Sequence, residues 1–255
     1  MIAERPVRDH EGGRSSCLCA TTCRTGAVAQ LDDLPGDDQT MDEIVLMSDP
    51  KVAAIPVEEC DEPLLDCRSV LRVDQRRSDG AGDWAHLRAG VVERLIRAQE
   101  LLPHGWQWLL VEGYRPPALQ VSIFNDYATT LRQLHPEASE DHIHTAATRW
   151  VAPLETAGHV SGAAIDLTIC TKDGIEVDMG SPEAATPEES GGACYTHAAG
   201  LSTQAQRNRA VMIEALNAVG MVNYPTEWWH WSYGDRYWAL ATEADAALYG
   251  PRNRG

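Results

Sequence analysis

The chain has 255 residues, 44% of them hydrophobic, enough to bury one sizeable core in a single domain of ordinary enzyme size. Its 38 acidic against 21 basic residues give a formal net charge of −17, which excludes the clustered positive surface that nucleic-acid binding needs. No apolar run is long enough to span a bilayer, and no apolar stretch with a small-residue cleavage site follows the N-terminal arginines, so no membrane partner and a cytoplasmic location are expected.

Residues 1–40 mix Gly, Arg, Ser, Thr and Asp without helical or strand period and read as a disordered leader. Met41 opens Met-Asp-Glu-Ile-Val-Leu and is a candidate true start, so fold reasoning is confined to 41–255. Cysteines at 17, 19, 23, 60, 67, 170 and 194 are odd in number and scattered, which favours reduced thiols over a disulfide scaffold. Cys17-Leu-Cys19-x3-Cys23 lacks a fourth ligand at usable spacing for a metal knuckle.

Lys51 to Val57 and Leu64 to Cys67 read as short extended pieces interrupted by Pro56 and Pro63, and Arg72 to Asp83 as a charged, Gly-containing loop. Val91, Val92, Leu95, Ile96, Ala98, Leu101 and Leu102 recur at helical spacing, with Pro103 and Gly105 as the stop; this helix should pack on the sheet. Trp106 to Glu112 is a strand that runs into Gly-Tyr-Arg115-Pro-Pro, where two prolines restrict the direction in which Arg115 leaves the strand end. A rigidly aimed guanidinium suits the oxyanion of a tetrahedral intermediate, although a surface arginine pairing with an acid is the plainer alternative.

Helices are expected from Ala118 to Leu134, with Val121, Phe124, Tyr127, Ala128 and Leu131 on one stripe, and from Glu140 to Trp150. His142 and His144 stand two apart in the second helix and point away from each other, so they are solvated or capping rather than ligands. From Ala163 to Ile169 apolar residues alternate with Ala164, Asp166 and Thr168, the period of a strand with one buried apolar face. Asp166 then lies on the other face, where a carboxylate needs a metal or a cation against it, and His159 precedes the strand by a Gly-containing turn.

Met179 to Gly200 is too long and too rich in Pro, Gly and acids for a simple connector, and reads as a lid. Arg209 to Val219 is a helix with Val211, Met212, Ala215, Leu216 and Val219 buried and Gly220 at its C-terminal cap. Trp228, His230 and Ser232 then alternate with Trp229, Trp231 and Tyr233 in a second strand-like run, before a short helix and an Arg-rich tail. His159, Asp166 and His230 form a nitrogen and oxygen set that suits Zn²⁺ and leaves a tetrahedral ion one open position; Glu227 is the natural base for a water there. The plainer reading of Glu-Trp-Trp-His is an aromatic core strand.

Glu-Gly-Tyr-Arg115-Pro, Gly-His159-x2-Gly-x-Ala-Ile-Asp166-Leu-Thr, Asp178-Met-Gly and Glu227-Trp-Trp-His230 follow one another as in D-alanyl-D-alanine dipeptidases of the VanX type, zinc metallopeptidases of family M15, which the chain resembles over roughly residues 90 to 235. The resemblance implies an α+β fold, an antiparallel sheet with flanking helices, shared with D-Ala-D-Ala metallopeptidases and the hedgehog signalling domain, occupying 41–255 as a zinc dipeptidase domain. It implies one Zn²⁺ per chain on His159, Asp166 and His230, Glu227 as general base, Arg115 as transition-state stabiliser, and Asp178 as the acid that holds the substrate's free amino group.

The activity so implied is hydrolysis of a dipeptide with a free amino terminus, D-alanyl-D-alanine in the first place, by zinc-activated water. The partner is a small dipeptide, and a homo-oligomer is left open. Ala157 stands where the family usually has a serine, and Ser69 where it has a substrate-contacting tyrosine, which leaves the bound dipeptide open. Two alternatives stand beside this reading: a D,D- or L,D-carboxypeptidase or specialised-metabolite hydrolase, and a non-catalytic zinc-stabilised binding module.

Overall fold

A computed structural model describes residues 44–148 and 150–254. The expected leader at 1–40 and Cys17, Cys19 and Cys23 lie outside the described residues. In chain order the elements are α1 (Pro50–Ala54), β1 (Leu64–Asp66), β2 (Arg72–Val73), β3 (His86–Arg88), α2 (Ala89–Gln99), β4 (Trp106–Glu112), α3 (Pro117–Leu134) and α4 (Glu140–Thr148). They continue with β5 (Ala164–Thr171), α5 (Pro187–Ser190), α6 (Thr203–Asn217), β6 (Val222–Asn223), β7 (His230–Ser232) and α7 (Arg236–Ala241).

The fold is α+β. The central sheet has the order β2-β4-β5-β7-β6 and is antiparallel except for the parallel edge pair β2–β4; β1 and β3 form a separate antiparallel pair. One sheet face carries the main core: Trp108 and Leu110 of β4, Ile165, Leu167 and Ile169 of β5, and Trp231 of β7 pack with Val91, Leu95 and Ala98 of α2 and Met212, Ala215 and Leu216 of α6. Those on β5, β7, α2 and α6 are positions that alternation and helical spacing single out, because period 2 and period 3.6 each bring one apolar face to the same layer. The α3–α4 pair has its own small core around Ala128, Leu131, Ile143 and Ala147.

The opposite face of β5 carries ionisable side chains. Asp166 pairs with His230 on β7 and with Glu112 on β4, so the three side chains form a row across three strands. Glu112 joins it through a bulge: Leu110 pairs with Leu167 and Glu112 with Asp166, so Val111 is the extra residue. Without the bulge Glu112 would share the core face of Trp108 and Leu110; with it, the carboxylate turns to the side of Asp166.

Several expectations need correction. Residues 50–54 are a helical turn rather than an extended piece, because Asp49 caps it by accepting from Lys51 N at 2.8 Å and Pro50 takes the first helical position. The last helix before the Glu227 segment starts at Thr203, not Arg209: Ser202 caps it by accepting from Ala205 N, and a polar first turn and a half hide the period from the sequence. In α3, Val121 is 43% exposed and Gln120 takes the buried position instead. The strand expected over Trp228–Tyr233 contracts to His230–Ser232, with Trp228 and Trp229 in a turn, and α4 ends at Thr148.

Candidate active site

His159 sits in the short 3₁₀ turn Gly158–Ser161, which Gly162 closes with φ 71°, a left-handed conformation that favours glycine; a Cβ there would also displace the Leu64 side chain. The His159 Nδ1–H donates to Gly113 O at 2.7 Å, which orients the ring and leaves Nε2 facing Asp166 Oδ1 at 3.4 Å. From the other flank His230 Nδ1 approaches the same Asp166 oxygen at 3.0 Å. All three residues are buried, and one ligand atom from each lies within 4.8 Å of the others.

Burial alone would push Asp166 up, yet His159 and His230 hold its carboxyl far below the usual range. Burial likewise favours neutral His159, and Asp166 reverses the direction. An anionic oxygen flanked by two aimed imidazole nitrogens is a donor set that a divalent cation fits, and three protein ligands leave a tetrahedral ion one open position.

Glu227 reaches His230 Nδ1 at 3.7 Å through Oε2. Burial pushes its carboxyl up to about 7, with Asp166 adding to burial while His230 and Arg115 oppose it. The turn that presents it is clamped by Asn223, whose Nδ2 donates to both Glu227 O at 3.0 Å and His230 O at 2.9 Å. Asn223 carries no motif and was not legible as a site residue.

Arg115 is held on three sides. Its Nε and one terminal nitrogen donate to the two oxygens of Glu112, each at 2.7 Å; the other terminal nitrogen donates to Gln120 Oε1 at 2.7 Å, and Gln120 passes the load to Ala152 O. Its backbone N–H donates to His159 O at 3.1 Å, which ties the arginine loop to the turn that carries His159. Burial would lower the charge on this guanidinium, but Glu112 more than offsets it. Glu112 and Gln120 were not anticipated: the first depends on the bulge, the second on a helix face that reads as Val121.

These groups open onto one cavity of about 460 Å³ that His159, Asp166, Glu227, His230, Arg115 and Glu112 line from the sheet side and Arg77, Ala157, Ala184 and Tyr224 from the loops. Five of the six expected site residues therefore meet in one place. Asp178 does not: it is exposed, outside the cavity lining, with Oδ1 accepting from Gly180 N at 2.8 Å and its carbonyl accepting from Asn208 Nδ2 at 2.7 Å. That is an Asx turn, which follows from Gly180 two residues on. Ser69 is also exposed and outside the lining, as are His142 and His144 on α4.

The lid expected at 179–200 is pinned to the body. Buried Arg209 donates to the carbonyls of Met179 at 2.7 Å, Ala193 at 2.6 Å, Tyr195 at 2.5 Å and Thr196 at 3.2 Å, and burial pushes its pKa down to about 10. The same loop brings in a carboxylate that the sequence did not flag, Glu183, buried, raised to about 7 chiefly by that burial and lying 3.6 Å from Arg77 and 3.9 Å from Arg76.

Comparison with known proteins adds the following. The peptidase M15 family, described as D-ala-D-ala dipeptidase, matches residues 87–245. A D-alanyl-D-alanine dipeptidase from Synechocystis sp. is 30% identical over 216 residues, covering 73% of this chain and 87% of that protein. Among solved structures, the vancomycin-resistance D,D-pentapeptidase VanY in complex with Zn(II) is 14% identical at TM-score 0.38, covering 69% of this chain and 90% of that one. VanYB in complex with D-alanine-D-alanine is 16% identical at TM-score 0.39, covering 67% and 88%.

Proposed function

Because the chain belongs to the peptidase M15 family of D-Ala-D-Ala dipeptidases, we propose that it hydrolyses a dipeptide with a free amino terminus, D-alanyl-D-alanine in the first place, in a metal-dependent reaction. The observation that carries this reading is the meeting of the His159–Asp166–His230 set with Glu227 and Arg115 in one cavity. The domain that performs it is 41–255, and the reading keeps a cytoplasmic location; among the described residues no helix is long and apolar enough to cross a membrane.

One Zn²⁺ held by His159, Asp166 and His230 would polarise the scissile carbonyl and lower the pKa of a water to about 7. Glu227, buried and raised to about 7, is poised to take the water's proton and hand it to the departing amine. Arg115 commits three of its five N–H donors to Glu112 and Gln120, which leaves two for the oxygen that gains charge. The Glu112 clamp keeps those two aimed before substrate arrives, so little reorganisation is required during reaction.

The cavity volume and the pinned 179–196 loop favour a short substrate over a long peptidoglycan stem. A bare structural metal site would need neither Glu227 nor the clamped Arg115, which speaks against a binding module.

The test is turnover of D-Ala-D-Ala by the zinc-loaded protein, before and after chelation, alongside Glu227→Gln. Activity lost on chelation and restored by zinc, with Glu227→Gln keeping the metal but losing at least about 10²-fold in kcat, is expected. Full activity with the metal removed, or in Glu227→Gln, would refute the assignment.

A further inference from the structure

A dipeptide has two charged ends, and the groups discussed so far attend only to its amide. Its C-terminal carboxylate would enter a cavity already lined by Glu112, Asp166 and Glu227, in a chain of net charge −17, so a dedicated cation is needed there. Two cationic side chains line the cavity, Arg115 and Arg77, and the first is held by Glu112 and Gln120.

Several of the neutral lining groups offer little. Ala157 presents a methyl group. Gln120 donates its amide N–H to Ala152 O, and the Thr148 hydroxyl donates to Thr145 O.

Arg77 is different in kind. Its guanidinium donates no hydrogen bond to any described residue; its ion-pair partner, Glu183, stands off at 3.6 Å, longer than a hydrogen bond. The Glu183 side chain is only 3% exposed and its Oε1 has no hydrogen-bond partner among the described residues. At that distance Glu183 flanks the guanidinium without engaging its N–H donors, and so leaves the planar fork open.

The backbone around Arg77 is fixed as well. Ser78 N donates to Gln75 O at 3.1 Å, Trp84 Nε1 donates to Asp74 O at 2.9 Å, and Asp79 accepts from the N–H groups of Ala81, Asp83 and Trp84. A tied loop, a buried acid beside it and an open fork on a half-exposed side chain that lines the cavity together describe a receptor for an oxyanion of carboxylate shape.

Resting on the dipeptidase reading, we propose that Arg77 binds the C-terminal carboxylate of the substrate, with Glu183 as the residue that positions it, and so restricts the enzyme to substrates whose second residue is the last. A peptide extended beyond that residue, or an amidated dipeptide, then lacks the group that Arg77 reads.

The test separates binding from turnover. D-Ala-D-Ala and its C-terminal amide are titrated calorimetrically into zinc-loaded Glu227→Gln protein, with and without Arg77→Gln, and kcat/KM for both ligands is measured in the otherwise wild-type background, with Arg77→Lys as the conservative variant. The acid is expected to bind about 10–100-fold more tightly than the amide, in line with one or two charge-assisted hydrogen bonds. Arg77→Gln removes that preference and raises KM for the acid alone, and Arg77→Lys restores part of it.

Equal affinities for acid and amide with Arg77 in place, equal losses on both in Arg77→Gln, or binding of neither ligand would overturn the proposal. The first two results are compatible with dipeptidase turnover and leave that reading standing. Absence of any dipeptide turnover by the wild-type protein, together with a clear acid preference in the binding arm, would sink the dipeptidase reading and leave the carboxylate receptor in place.

Discussion

Replacing Glu112 by Gln probes the clamp on Arg115 without changing the shape of the site. The wild-type pair has two N–H···O contacts of 2.7 Å between side chains that are 15% and 11% exposed. The amide keeps one acceptor and turns a donor toward the guanidinium, so one charge-assisted bond is lost and a buried cation loses its counter-charge. The first loss alone is about 1.5–3 kcal/mol and complete rupture of a buried pair about 3–5, which sets the expected destabilisation at about 3 kcal/mol. For a domain of this size that is a fall in Tm of roughly 6–12 °C.

Melting should be followed with chelator present for both proteins, so that metal linkage does not enter the comparison. The pH dependence has a definite sign. Burial pushes the Glu112 carboxyl up, but Arg115 overcomes it and the folded-state pKa lies below the unfolded value of 4.5. The stabilisation is therefore complete above that value and is lost as pH falls through the folded-state pKa, so the gap between wild type and Glu112→Gln should close in acid. In the zinc-loaded protein kcat should drop by about 10–100-fold, because a guanidinium displaced by an ångström no longer meets the oxyanion. A variant with unchanged melting at pH 7 and unchanged kcat would refute the clamp.

Arg209→Met leaves the carbonyls of Met179, Ala193, Tyr195 and Thr196 without their buried donor; a loss of about 2–4 kcal/mol in urea unfolding and new proteolytic cleavage within residues 179–196 are expected, and resistance equal to wild type would count against the staple. Asp79→Asn weakens the turn beside Arg77: burial raises the Asp79 pKa, the N–H groups of Asp83, Trp84, Ala81 and Gly82 outweigh it, and the folded value lies below the unfolded 3.8. The stabilisation, about 0.5 kcal/mol for so exposed a carboxylate, is thus present above 3.8 and is lost as pH falls through the folded-state pKa, so a wild-type advantage in urea midpoint that does not shrink below pH 3.8 would contradict it. Gly113→Ala would put a Cβ 2.5 Å from His86 O and 3.0 Å from Trp84 O, and the backbone must move the carbonyl that orients His159; zinc affinity measured by competition with a chelating dye should fall by about tenfold or more, and unaltered affinity would show that this carbonyl is dispensable.

The parts legible in the sequence are those that a local period or a short spacing encodes. Alternation in 163–169 puts Asp166 opposite Ile165 and Leu167, the prolines after Arg115 mark the strand end, and helical spacing in 91–102 finds the layer beneath the sheet. The unread parts are non-local. Glu112 sits on its face only because one residue bulges from β4, Asn223 clamps a turn from a neighbouring strand, and Arg77 reaches the cavity from a loop whose residues have no period. Asp178 shows the converse, a motif position held in a turn by Gly180 while Glu183, five residues on, is the buried acid of that loop.

The row Glu112–Asp166–His230 also acts as a checksum on strand alignment. A one-residue slip of β5 would swing Ile165 or Leu167 into the place of Asp166, and neither can ligate an ion. Misaligned molecules would then be silent to zinc rather than weak for it. With the proposed one ion per aligned chain, a preparation containing them would titrate with a stoichiometry below one and an undiminished affinity, so that counting ions per chain would count correctly aligned sheets.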